Sequence, residues 1–85
     1  MRVTVRLGDP LWRQIGEREL QVDLPDAASV GDLLGHLSAA YPALLPWLAG
    51  EEVPPTVFLD EAVADAATPL HEGARPILTW ALAGG

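Results

Sequence analysis

The residues with the clearest chemical potential are the last two, Gly84 and Gly85, because the chain end carries a carboxylate. A terminal carboxylate has a pKa of about 3.3–3.7, so it is ionised at neutral pH and is a poor electrophile. It has to be activated before its carbonyl carbon can react. Glycine has no side chain that would block a narrow enzyme channel, and its backbone reaches conformations closed to other residues. Taken alone, the two glycines are a weak signal for a chain end that reacts.

Residues 81–85 are predicted to form a flexible tail behind a single domain of residues 1–80. From Trp80 to Gly85, an extended chain reaches about 17 Å at roughly 3.3–3.6 Å per residue. This length can carry Gly85 well clear of the domain. A frayed and inert chain end is the alternative, because chain ends are commonly disordered whatever their function.

Composition argues against several functional classes. Twelve acidic residues against five basic ones give a net charge of −7, which repels nucleic acid. The chain has no cysteine, so it has no disulfide, thiolate metal site or cysteine nucleophile. No apolar run approaches the roughly 20 residues of a membrane span, and the first residues show an alternating pattern rather than the charged and apolar regions expected of a signal peptide. We expect a soluble, cytoplasmic domain with no membrane and no nucleic-acid partner.

Two alternating patterns predict the first two strands. Residues 2–7 and residues 19–24 each alternate apolar with polar side chains, which is the period of a half-buried strand. Between them, Leu11 to Ile15 can form a short helical turn that Gly16 closes. The two strands are predicted to pair as an antiparallel hairpin with a long loop.

An amphipathic helix is predicted to begin after Ser29. Ser29 is a favourable N-cap, and Asp32 stands three positions further on, as in a capping box. Pro42 should end the helix because it lacks an amide hydrogen. Residues 44–48 predict a second short turn packed beneath. The apolar residues of the main helix recur at the spacing of one face, which should lie on the sheet: Val30, Leu33, Leu34, Leu37 and Tyr41.

Three further strands are predicted in the second half of the chain. Thr56 to Leu59 is rich in β-favouring residues, Val63 begins a short strand, and Ile77 to Trp80 forms the last one. Pro76 should lie at the start of the last strand or at an exposed edge, because it cannot donate a hydrogen bond. One main helix against one sheet predicts a two-layer α+β domain.

Three motifs follow one another along the chain: the helix opening Ser29-Val30-Gly31-Asp32-Leu33-Leu34, the turn Thr68-Pro69-Leu70-His71-Glu72-Gly73, and the terminal Gly84-Gly85. Together they resemble the family of the small subunit of molybdopterin synthase and the thiamine-pathway sulfur carrier. The likeness runs from the first strand to the last glycine. It implies the ubiquitin-like β-grasp fold, with a mixed four- to five-stranded sheet covered by one main helix.

The resemblance also implies a reaction at Gly85. In that family, an adenylyltransferase related to ubiquitin-activating enzymes uses ATP and magnesium to form an acyl-adenylate at the last glycine. Sulfur from a persulfide donor then displaces AMP and leaves a thiocarboxylate. Leu82, Ala83 and Gly84 would occupy the channel of the partner. The chain itself is expected to bind no cofactor and no metal, since His36 and His71 lack further ligands at metal-binding spacing.

Molybdenum cofactor synthesis is the best-matching pathway, and there the tail would enter the large subunit of molybdopterin synthase. The protein would be a sulfur-carrying substrate or a synthase subunit rather than a stand-alone enzyme. Trp80, Thr79 and Phe58 are candidate partner-binding residues, because large aromatic side chains often anchor interfaces. Each aromatic residue also has an alternative interpretation. Trp80 could equally well cover the core, and a core position is the default expectation for Phe58.

Other functions use the same motifs. The protein could carry sulfur for thiamine, for transfer-RNA thiolation or for cysteine synthesis. It could instead be a ubiquitin-like modifier that is attached through Gly85 to lysines of other proteins. All five of its basic residues are arginines, so copies of the chain cannot be linked through their own lysines. The third possibility is a β-grasp binding module with an inert tail.

Overall fold

The alternating segments of the sequence form strands in the computed structural model, which describes residues 1–9, 11–48 and 55–79. Within these residues, five strands form one sheet in the order β2-β1-β5-β3-β4. A 3₁₀ turn, Pro42–Leu44, joins the second and third helices. The remaining elements have these bounds: β1 Arg2–Leu7, α1 Leu11–Ile15, β2 Glu19–Asp23, α2 Val30–Ala40, α3 Leu45–Leu48, β3 Thr56–Leu59, β4 Ala62–Ala64 and β5 Ile77–Thr79.

The predicted hairpin is confirmed. β1 pairs antiparallel with β2, with Arg2 opposite Asp23 and Val3 opposite Val22. The valines face the core, whereas Arg2 and Asp23 lie on the opposite face, where the Arg2 Nε atom lies 3.2 Å from Asp23 Oδ1. The alternation of apolar and polar residues therefore correctly predicts which side chains of the hairpin face the core.

The last strand of the described chain lies in the middle of the sheet. β5 runs parallel to β1 and antiparallel to β3. Leu78 at its centre is completely buried. Pro76 stands just before β5, where its missing amide hydrogen costs no ladder bond, and its carbonyl accepts a hydrogen bond from the Arg6 amide at 2.9 Å. The prediction that this proline begins a strand is confirmed.

The main helix, α2, covers one face of the sheet. Its Ser29 N-cap is a complete capping box: the Asp32 amide donates to Ser29 Oγ, and the Ser29 amide donates to Asp32 Oδ2. Leu34 and Tyr41 pack partly buried at its border. The buried side chains of helix and sheet that form the centre of the core are Val30, Leu33, Leu37, Val3, Val5, Leu7, Leu20, Val22, Val57, Leu59 and Leu78.

The first turn of α2 is held by the loop before β5. The Val30 amide donates to the Thr68 carbonyl and the Gly31 amide to the Ala66 carbonyl, both at 2.9 Å. A Cβ atom on Gly31 would lie 3.1 Å from the Ala66 carbonyl oxygen, so glycine permits this close approach. These amides, which a helix start otherwise offers to an anion, are therefore occupied by the protein itself.

Two expectations about packing are wrong at particular residues: Leu45 and Trp47 in the predicted turn, and Phe58 as a core residue. Leu44 is fully buried, but in the turn predicted to pack beneath the helix Leu45 is 48% and Trp47 38% exposed. α3 is a single turn at the surface, so only one of its sides can face the core. Phe58 is half-buried on the outer face of the sheet, because Val57 and Leu59 on either side of it take the inward positions of β3.

The predicted α+β architecture is confirmed: a mixed sheet is covered on one face by one main helix. The other face of the sheet carries no helix in the described ranges. No helix among the described residues is long and apolar enough to cross a membrane.

Candidate functional site

The candidate site begins where β5 ends, at Thr79. The predicted boundary between domain and tail, at residue 80, lies outside the described residues, as do five of the predicted site residues: Trp80, Leu82, Ala83, Gly84 and Gly85. The other two, Phe58 and Thr79, lie in the sheet on neighbouring strands. The structure therefore places the strand that leads to the tail and the surface around it.

The end of β5 packs closely against the end of β1. The Gly8 amide donates a 2.8 Å hydrogen bond to the Leu78 carbonyl. A Cβ atom at Gly8 would lie only 2.7 Å from Thr79 Oγ1, so this contact needs glycine. The position from which the chain continues to residue 80 is thereby tied to the central strands.

The outer face of the sheet carries a row of side chains that runs across all five strands. The strand pairings place Arg6 opposite both Glu19 and Ile77, and Phe58 opposite both Ile77 and Val63. We call Ile77, Phe58 and Val63 the apolar row. Ile77 is 38% and Val63 69% exposed, while Phe58 is half-buried. Large apolar side chains exposed together commonly mark a surface that binds another protein.

The apolar row borders the end of β5. Thr79 pairs with Thr56, one outward position beyond the pairing of Ile77 with Phe58. The structure thus brings Phe58 and Thr79 onto one face, beside the point where the chain leads to the predicted tail.

The other half of the row is charged. A shallow pocket of about 150 Å³ lies between β1, β2 and the start of β5. Arg75 Nη2 lies 3.9 Å from Glu19 Oε2 at this pocket, at the outer limit of an ion pair. The residues that line the pocket are Thr4, Arg6, Glu19, Arg75 and Ile77. Ile77 therefore belongs to both the pocket and the apolar row.

His71 links the loop before β5 to the turn between β3 and β4. Its Nδ1 atom lies 3.0 Å from the Glu72 carbonyl oxygen, and its Nε2 atom lies 3.5 Å from Asp60 Oδ2. The Glu72 carbonyl and the Asp60 carboxylate both favour the protonated ring and raise the pKa of His71 above 6.5. The other histidine, His36, is exposed. Among the described residues, no three or more histidine or acidic side chains are grouped as a metal site.

Several residues of this surface were missed by sequence reasoning. Ile77 and Val63 are apolar residues at outward positions of their strands, where the alternating pattern calls for polar side chains. This departure from the pattern is the signal that could have identified them as surface residues that bind a partner. Arg75 could not have been grouped with Arg6 and Glu19, because it joins them only through the pairing of β5 with β1, between distant parts of the chain.

Solved structures resemble this fold over nearly the whole chain. SAMP1 from Haloferax volcanii matches with a TM-score of 0.85 and 27% sequence identity, covering 100% of both chains. A complex of subunits 1 and 2 of molybdopterin-converting factor from Helicobacter pylori contains a chain that matches with a TM-score of 0.68 and 26% identity, covering 100% of both chains. Urm1 from Trypanosoma brucei matches with a TM-score of 0.69 and 20% identity, covering 99% of this chain and 95% of its own. No family model matches the chain, and no curated protein matches it closely.

These likenesses agree with the fold that the three sequence motifs imply. At 20% identity, the likeness to Urm1 shows the fold alone. The other two matches span both chains completely and add sequence identity of 26–27% to the shared architecture. The chain therefore has the ubiquitin-like β-grasp fold and resembles the family of the molybdopterin synthase small subunit and related sulfur carriers.

Proposed function

We propose that this protein is a sulfur carrier whose C-terminal Gly85 is converted to a thiocarboxylate. The observation that carries the proposal is the combination of the β-grasp fold with a Gly84-Gly85 chain end that follows the central strand β5 in the sequence. The end-to-end match to a subunit of molybdopterin-converting factor supports it. It also favours molybdenum cofactor synthesis as the pathway and a larger synthase subunit as the partner.

The proposed chemistry has three steps. A Gly85 carboxylate oxygen attacks the α-phosphorus of ATP, which forms an acyl-adenylate and releases pyrophosphate. The terminal sulfur of a persulfide then attacks the carbonyl carbon, and AMP leaves. A thiol next cleaves the resulting acyl disulfide, which gives the thiocarboxylate and a disulfide. ATP and magnesium belong to the activating adenylyltransferase, so this chain supplies only the carboxylate and the surface that presents it.

The outer face of the sheet provides that surface in the proposal. A partner that covers the apolar row at Ile77 and Phe58 would bury apolar area next to Thr79, where the chain leads to the tail. The domain would be held at the entrance of the active site while the glycines extend into it. The absence of bulky side chains at Gly84 and Gly85 keeps the reacting carbon accessible.

A protein modifier is the second candidate. The matches to SAMP1 and to small archaeal modifier protein 1, both from Haloferax volcanii, favour it, because the second of these proteins is named as a modifier. In this case the acyl-adenylate is passed to lysine amines of other proteins, with release of AMP. The two candidates differ only in what attacks the Gly85 carbonyl carbon.

The test is incubation of the full-length protein with its cognate adenylyltransferase, ATP, magnesium and a persulfide donor, followed by measurement of the intact mass. The carrier function predicts an increase equal to the exchange of one oxygen for one sulfur. A variant lacking Gly85 should keep its original mass while its thermal unfolding stays the same. Unchanged mass of the wild-type protein with an active enzyme contradicts the carrier function, and adducts on lysines of other proteins favour the modifier.

A further inference from the structure

The charged pocket beside the apolar row has a composition of its own. Arg6 and Arg75 both line it, although the protein as a whole has a net charge of −7. Glu19 supplies one negative charge opposite them. The pocket therefore carries one net positive charge on a chain that is otherwise strongly acidic.

The two arginines are incompletely used inside the protein. Arg6 stands opposite Glu19 in the strand pairing, yet none of the ion pairs among the described residues includes Arg6. Arg75 lies 3.9 Å from Glu19, at the outer limit of an ion pair, and its side chain is 75% exposed. By comparison, Arg2 lies 3.2 Å from Asp23 and Arg13 lies 2.9 Å from Asp9. The guanidinium groups of the pocket are available to a further anion.

The net charge of the pocket and the apolar row beside it indicate which kind of anion the pocket can bind. One net positive charge matches a single carboxylate better than a phosphate dianion. Ile77 lines the pocket and also belongs to the apolar row, so an occupant that fills the pocket continues onto apolar surface. A free inorganic ion has no apolar part to place there, and the chain's overall negative charge opposes binding of polyanions.

We infer that Arg6 and Arg75 form a specificity pocket for a carboxylate side chain, an aspartate or glutamate, on the large synthase subunit that receives the tail. This inference rests on the proposed function and names the chemistry by which the partner is recognised. The partner would cover the apolar row and place its carboxylate between the two arginines. Glu19 competes for Arg75 and so moderates the affinity.

Binding of the wild-type protein and its variants to the cognate large subunit, measured by calorimetry, tests this pocket. Arg6→Gln should raise the dissociation constant about tenfold, because a charge-assisted hydrogen bond is lost at the interface. Arg75→Gln should act in the same direction. Glu19→Gln should tighten binding, since it removes both a competitor for Arg75 and a repulsive charge. Arg13→Gln is the matched control, because Arg13 lies on α1 outside the pocket, and it should bind as the wild type does.

Opposite effects of Arg6→Gln and Glu19→Gln cannot come from general loss of structure, which would weaken binding in both. Equal dissociation constants for Arg6→Gln and Arg13→Gln would overturn the inference. So would saturable shifts of the Arg6 and Ile77 amide resonances with inorganic phosphate at millimolar concentration, or a wild-type dimer that Arg6→Gln dissociates.

The pocket and the carrier function can fail separately. If the wild-type protein gains sulfur at Gly85 but does not bind the large subunit, the pocket is refuted and the carrier function stands. If it binds through the pocket but gains no sulfur, the carrier function fails alone.

Discussion

Gly8 and Thr79 approach so closely that a single Cβ atom on Gly8 would lie 2.7 Å from Thr79 Oγ1 and 2.9 Å from Thr79 Cβ. The Leu78 carbonyl oxygen, at 3.3 Å from the same position, closes the space from the backbone side. This contact fastens the end of β5 to the end of β1, immediately before the chain continues to residue 80. The strand that leads to the predicted tail is thus fixed by packing as well as by its ladder bonds.

The first prediction concerns Gly8→Ala, which should destabilise the fold by about 1–3 kcal/mol because the added methyl group overpacks this contact. Gly35→Ala is the matched control: a Cβ atom there meets nothing within 4 Å, and Gly35 lies in α2. It should stabilise the protein by about 0.5–1 kcal/mol, since alanine favours a helix over glycine. Urea unfolding of the three proteins measures both effects, and equal stability of Gly8→Ala and wild type would contradict the close packing.

The capping box of α2 gives a second prediction. Ser29→Ala removes the Oγ atom that accepts the Asp32 amide at 3.2 Å, and should cost about 0.5–2 kcal/mol of unfolding free energy. Ser38→Ala is a control in the same helix, because Ser38 Oγ donates only to the Leu34 carbonyl and caps no helix end. It should leave stability almost unchanged. A loss in Ser38→Ala as large as that in Ser29→Ala would show that the cap contributes nothing specific.

His71 predicts a pH dependence of stability. The Glu72 carbonyl and the Asp60 carboxylate raise the pKa of His71 in the folded state above its unfolded value of 6.5. Protonation is therefore more favourable in the folded protein, so the stabilising contribution is complete below pH 6.5 and is lost as pH rises through the folded pKa. The wild type should gain stability relative to His71→Gln as pH falls from about 8 to about 5.

The pKa itself can be followed through the His71 ring protons by NMR. Asp60→Asn should lower this pKa without returning it fully to 6.5, because the Glu72 carbonyl remains. Asparagine suits the backbone at this position, where φ is +51°. A wild-type pKa at or below 6.5 would refute the assigned contacts.

A substitution in the apolar row should weaken binding of a partner without destabilising the fold. Ile77→Thr keeps a β-branched side chain in β5, so the fold should remain, while binding of the cognate large subunit should weaken roughly tenfold if Ile77 anchors the interface. Leu45→Gln is the control, because Leu45 is 48% exposed on α3, away from the outer face of the sheet. Equal weakening by both substitutions would show that the large subunit does not select the apolar row.

Local patterns in the sequence predict most of the fold. Alternation in residues 2–7 and 19–24 identifies the hairpin and its inner face, and Ser29 with Asp32 identifies the start of α2. These features are local: each depends on neighbouring residues and on the geometry of one strand or helix.

The outer surface is less predictable for a physical reason. Val57, Phe58 and Leu59 are all apolar, so composition alone does not reveal that Phe58 points away from the core. Arg6 and Arg75 meet only because β5 inserts parallel to β1, a pairing between the two ends of the domain. α3 packs mainly against α2 and the 3₁₀ turn just before it, and because it is a single turn at the surface it leaves Leu45 and Trp47 more exposed than their residue types suggest.

The central claim is that Gly85 carries the sulfur, and fragmentation mass spectrometry of the C-terminal peptide tests it most directly. The full-length protein is treated with its cognate adenylyltransferase, ATP, magnesium and a persulfide donor, and is then cleaved and sequenced in the spectrometer. The account predicts that the oxygen-to-sulfur mass difference appears only in fragments that contain Gly85. Sulfur located on any other residue, or an unmodified Gly85 in the presence of an active enzyme, would contradict it.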